Sequence, residues 1–152
     1  MTIESANPDK HLHASEGWVD VTIAPIEGFR SATVEYRESS SGTRSITLYG
    51  QTEPAEGKSR GIEINFYNSI EPGSYPLPTE AFPDSYDCRY FTQIGDHRKS
   101  HKATGGTLKI ERFNKEQAFA TGAFSFNATI DDDPQQLFVG TFDIRRIDDK
   151  KN

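Results

Sequence analysis

The sequence predicts an all-β fold, an antiparallel β-sandwich of eight or nine short strands, with a small up-and-down barrel as the alternative. Three observations predict it. Apolar side chains recur at every second residue in segment after segment, the pattern of strands with one buried face. No window sustains apolar residues at i, i+3, i+4 and i+7, so no amphipathic helix is indicated. Turn-forming Gly, Pro, Asn, Asp and Ser punctuate the chain at intervals of about ten residues, as hairpins require.

In the first strand Val19, Val21 and Ile23 share one face, with Asp20 and Thr22 opposite, and Glu27-Gly28 closes it. Ala32, Val34 and Tyr36 alternate with Thr33, Glu35 and Arg37 before the small residues of Ser39 to Gly42 reverse the chain. Ile46, Leu48 and Gly50, then a polar turn around Pro54 and Gly57, then Ile62, Ile64 and Phe66 make the clearest hairpin. Pro72, Pro76, Pro78 and Pro83 lie where ladder N–H groups would be needed, which predicts a long irregular connection. Cys88 to Ile94 returns to a strand whose faces, Cys88/Tyr90/Thr92/Ile94 and Arg89/Phe91/Gln93, do not divide into apolar and polar. Gly95 to Gly106 reads as a polar loop. Leu108 and Ile110 then face inward, followed by Ala120, Gly122, Phe124, Phe126 and Ala128, and by Phe138, Gly140, Phe142 and Ile144. Small residues beside the phenylalanines leave room for interdigitation across a sheet interface. Gly122 marks a bulge, because Phe119 otherwise points away from the core.

The 152 residues fit one domain, expected over 17–147, between a flexible N-terminal arm at 1–16 and a tail at 148–152. Hydrophobic residues make up only 34 %, yet 10 Phe, 6 Tyr and Trp18 supply large apolar faces, which argues for a folded chain with a thin core. The formal charge of -6 disfavours nucleic acid and anionic membrane as partners, since both need a basic footprint. No run approaches the roughly 20 apolar residues that span a bilayer. Residues Met1 to Lys10 lack the basic and apolar regions of a secretory signal, so a cytoplasmic location is expected, or export if a leader was removed. Cys88 is the sole cysteine and reads as a buried structural thiol.

Gly106-Thr-Leu-Lys-Ile-Glu-Arg-Phe113, Ala120-Thr-Gly-Ala-Phe-Ser-Phe-Asn-Ala128 and Gly140-Thr-Phe-Asp-Ile144, preceded by Gly73-Ser-Tyr75, form an ordered set of motifs. Over roughly residues 60–145 this resembles a family of small bacterial all-β proteins of unknown function, many of them lipoprotein-like or exported. The resemblance implies an antiparallel β fold and no catalytic residues. The leader and lipidated cysteine of many such relatives are missing from this sequence.

The expected function is that of a non-enzymatic binding or interaction module for a protein or small ligand, with no cofactor. Its candidate surface is the proline- and aromatic-rich connection and basic loop at 71–102. Tyr75, Phe82, Tyr86 and Tyr90 offer apolar area with polar tips, and Arg98 and Lys99 belong to the chain's one basic cluster. His97 and His101, with Asp96 and the pair His11 and His13, are weak metal candidates, because a His-x3-His pair converges on one ion when a helix holds it. Asp131, Asp132 and Asp133 read as a solvated turn. Two alternatives stand beside the binding module: an acid–base enzyme using His97 or His101 with a nearby aspartate, and a structural homodimer joined through edge strands.

Overall fold

A computed structural model describes residues 13–24, 27–38, 45–79 and 85–148. Among the described residues there are eleven strands: β1 (His13–Ile23), β2 (Phe29–Arg30), β3 (Thr33–Glu38), β4 (Ser45–Gln51), β5 (Lys58–Tyr67), β6 (Gly73–Leu77), β7 (Tyr86–Ile94), β8 (His97–Lys102), β9 (Gly105–Asn114), β10 (Phe119–Ile130) and β11 (Asp133–Asp148). They make a six-stranded sheet, β2-β1-β11-β10-β9-β6, and a five-stranded sheet, β3-β4-β5-β7-β8. Every pairing is antiparallel, and neither sheet closes on itself. The architecture is therefore a sandwich and not a barrel. No helix long and apolar enough to cross a membrane occurs among the described residues.

The two-residue periodicity places each strand's apolar set between the sheets. In the β4–β5 hairpin Ile46 pairs with Phe66, Leu48 with Ile64 and Gly50 with Ile62, so one face of the ribbon is continuously apolar. The six-stranded sheet opposes it with Phe124, Phe126, Phe138 and Phe142, all fully buried. These rings fit because glycines stand beside them: Gly122 pairs with Phe142, and Gly140 with Phe124. A Cβ built on Gly140 would meet the Phe124 ring at 2.7 Å and the Asp20 carbonyl oxygen at 2.3 Å. The β9–β10 register shifts at Gly122, but the extra residue is Glu111 in β9, since Thr121 pairs with Arg112 and Gly122 with Ile110; β10 alternates without interruption, so the bulge expected at Gly122 is absent from its own strand. Phe119 points away from the core, with the Arg112 and Arg145 guanidiniums 5.4 and 5.5 Å from its ring centroid.

The count exceeds the expected eight or nine strands, and β2, β6 and β8 are the ones the sequence pattern did not show. β2 is a two-residue edge pairing against Asp20 and Val21, too short to show a period. β6 lies within the proline-rich connection, where an irregular path was predicted; Pro76 is accommodated because β6 is the edge of its sheet and only alternate N–H groups face β9. β8 replaces the predicted polar loop. Gly95-Asp96 forms a two-residue turn with Gly95 at φ +62°, and His97 to Lys102 then pair with Ile94 to Arg89. An edge strand with polar side chains on both faces carries no hydrophobic period, so periodicity could not find it. β1 also begins four residues before the expected domain boundary, since His13 to Glu16 pair with Asp148 to Arg145. At the other end Asp148, expected in the tail, closes β11.

Tyr36 is 3 % exposed, and its hydroxyl has no hydrogen-bond partner among the described residues. Burial first, with Glu38 adding to it, pushes this phenol up from 10.0 to about 12. The folded state thus holds the proton over a range in which the unfolded chain has lost it. Stability falls as pH climbs from 10.0 to about 12. In urea denaturation across that window Tyr36→Phe should flatten the decline, and at neutral pH it should raise stability by about 1 kcal/mol by removing an unsatisfied hydroxyl. An unchanged slope refutes this account of Tyr36. Gly140→Ala should destabilise by about 1–3 kcal/mol, since its methyl group overlaps both ring and backbone.

Candidate functional site

At one open end of the sandwich the two sheets part around a cleft of about 530 Å³. Its first wall is the inner face of the five-stranded sheet: Arg60 of β5, Tyr90 and Thr92 of β7, and Lys99 and His101 of β8. Its second wall is the tip of the β10–β11 hairpin, with Ile130, Asp131, Asp133 and Gln136.

The opening follows from strand lengths and side-chain phase. Gly105 opposite Asn127 is the last register pair of β9 with β10, and Ile23 opposite Val139 the last of β1 with β11. Beyond them β10 and β11 continue as a two-stranded ribbon to a turn at Asp131 and Asp132, whose φ angles of 52° and 69° are both left-handed. On the other wall the inward phase of β5 runs Phe66, Ile64, Ile62 and then becomes Arg60, and that of β7 runs Cys88, Tyr90 and then becomes Thr92. Apolar contact between the sheets ends where those phases turn polar.

Tyr90 and His101 of the first wall end a stack of rings that runs back into the core. Phe126 and Phe138 lie 5.3 Å apart, Phe138 and Tyr90 4.5 Å, and Tyr90 and His101 6.1 Å, with interplanar angles of 24°, 23° and 26°. His101 Nδ1 is 3.2 Å from the Thr129 carbonyl oxygen. A carbonyl only accepts, so Nδ1 carries the proton in that bond and Nε2 is the remaining polar atom of the ring. Arg60 donates from Nη2 to the Glu27 carbonyl at 3.2 Å, its guanidinium lying 4.4 Å from the centroid of the Phe29 ring. Beyond Arg60 and Thr92 the cleft adjoins a more apolar hollow of about 590 Å³, whose wall includes Ile94, 62 % exposed.

The structure distributes the sequence candidates over three places. Tyr90, Lys99 and His101 share the cleft. Tyr75 and Tyr86 meet edge-on at 5.2 Å, with Tyr86 four residues along β7 from Tyr90, about 13 Å at strand rise. Arg98 lies on the outer face of the five-stranded sheet. Phe82, His11 and the His13 side chain fall outside the described residues. The stretch 71–102 is thus not one surface. His97 and His101, separated by about 13 Å along a strand, cannot grip one ion, and no group of three metal-ligating side chains occurs among the described residues. Cys88 is fully buried, and burial pushes its thiol well above the ordinary range, as befits a packing residue.

Arg98 explains why β7 defied a simple division of faces. Its guanidinium sits 3.8 Å from the Phe91 centroid and 5.0 Å from that of Tyr49, ion-paired to Glu63 at 3.7 Å. The ring occupies space that Gly61 leaves free, where a Cβ would stand 2.4 Å from it. Phe91 is therefore fully buried on the outer side of its sheet. The sequence reading missed Arg60, Thr92, Asp131, Asp133 and Gln136. Arg60 had a legible signal, being the first charge in the phase of Ile62, Ile64 and Phe66.

No family model, curated protein or solved structure matches the chain. Arg98→Ala should cost about 1–2 kcal/mol in urea denaturation by uncovering Phe91. Arg98→Lys should recover only part of that loss, because an ammonium cannot stack as a plane.

Proposed function

We propose that the protein is a non-catalytic binding module whose ligand sits in the cleft between the β10–β11 tip and the inner face of β5, β7 and β8. The observation that carries this reading is the cleft's composition. A tyrosine stacked on a histidine and two cationic side chains on one wall, and carboxylates on the other, converge on a volume within the range of small-ligand sites, about 300–1,000 Å³. Three residues singled out in the basic segment and its neighbour, Tyr90, Lys99 and His101, contribute to it. The rigid strands beneath require no rearrangement to present them, which favours recognition by a preformed surface.

A second reading, acid–base chemistry, draws on His101 lying in the same cleft as Asp131 and Asp133. His97 stands outside it.

A small-molecule screen by thermal shift, followed by amide NMR on the hits, tests the binding reading. A true ligand should move the resonances of Thr92, Lys99, His101 and Gln136, and Lys99→Ala should weaken it roughly tenfold or more, the loss expected for one hydrogen bond to a charged group. Hits that perturb only residues remote from the cleft, or no hits at all, would refute it. Turnover abolished by His101→Ala would favour the second reading.

A further inference from the structure

The two walls of the cleft differ in sign. Arg60, Lys99 and His101 stand on the five-stranded sheet, and Asp131 and Asp133 on the hairpin tip. Neither Arg60 nor Lys99 forms an ion pair with Asp131. Arg60 is engaged by the Glu27 carbonyl, just before β2, and by the Phe29 ring of β2 at the edge of the six-stranded sheet. The Asp133 carboxylate accepts from Gln136 Nε2, on its own side. Lys99 and Asp131 each lack an ion-pair partner among the described residues, although both line the same space.

Opposite charges that face each other without closing leave a field directed across the cavity. A lone anion drawn to the sheet wall meets repulsion from the tip, and a lone cation meets the reverse. A molecule that carries both charges, oriented along the field, gains at each end. Between the two ends the Tyr90 ring and Ile130 provide an apolar surface against which methylene groups can lie. We infer that the cleft takes a dipolar small molecule of the ω-amino acid type, with its carboxylate toward Lys99 and His101 and its ammonium toward Asp131. This rests on the binding reading above and adds the chemical class of the ligand.

The test uses the full chain and four probes: 4-aminobutyrate and 6-aminohexanoate as dipolar molecules, butyrate and butylamine as their singly charged counterparts. Amide NMR titrations at low salt report both affinity and place. At least one dipolar probe should bind tenfold or more tightly than either control, moving Thr92, Lys99 and His101. Lys99→Gln and Asp131→Asn, both at solvent-facing positions, should each remove that tenfold advantage while leaving the dispersion of the spectrum intact. Lys99→Gln should weaken butyrate but not butylamine, and Asp131→Asn the opposite. Butyrate or butylamine binding in the cleft as tightly as the dipolar probes would overturn the inference and leave the binding reading standing. So would dipolar probes that fail to bind where an uncharged hit from the screen does. If neither the probes nor any screened compound perturbs the cleft, both fall.

Discussion

The interlock of phenylalanines from one sheet with isoleucines and leucine from the other is the contact on which the rest of the structure depends. Phe124, Phe126, Phe138 and Phe142 share one core cluster with Ile46, Leu48, Ile62 and Ile64, and all eight are fully buried. Each such side chain contributes on the order of 1.5–3 kcal/mol when withdrawn from water. With one cysteine and therefore no internal disulfide, the domain has no covalent staple to substitute for this packing. Glycine at 122 and 140 is what allows rings on adjacent strands to lie at the same level.

The same interlock determines where the sandwich opens. Sheets stay together as far as both supply apolar side chains in the inward phase, and Arg60 and Thr92 end that supply on the five-stranded side. The β10–β11 ribbon nevertheless continues past its neighbours, so its acidic turn overhangs a surface that has become polar. A cavity bounded by two walls of opposite sign results from a mismatch in strand length combined with a change of side-chain type. The first wall is built on strands, and the second on the turn and flanking strand ends of the β10–β11 hairpin.

Edges required separate solutions. β6 carries Pro76, and β8 carries Arg98, Lys99 and Lys102. Proline and positive charge both discourage further strand addition, so these edges are protected while remaining in their sheets. They are also the segments that sequence periodicity misread, β6 as an irregular connection and β8 as a loop. An edge strand with little to bury leaves little hydrophobic pattern, and a residue type that disfavours central strands is tolerated at the rim. Phe91 is the complementary case: its apolar side chain belonged to the polar phase of β7, and its burial is accounted for by the Arg98 guanidinium over it, the Tyr49 ring beside it and the space that Gly61 leaves.

The sequence by itself determined the all-β class, the inward phase of the long strands, the β4–β5 hairpin and the burial of Cys88. Each of these follows from the alternation of a pleated strand or from turn chemistry, which are written within a few consecutive residues. Tertiary structure alone decided that β1 lies beside β11, that β8 joins the sheet through the Gly95-Asp96 turn, and that Arg60, Lys99 and Asp131 surround one space. Backbone hydrogen bonds are common to every strand and do not name a partner. Neighbours are chosen by the fit of whole faces, and residues 30 or more positions apart are brought together only after that choice is made.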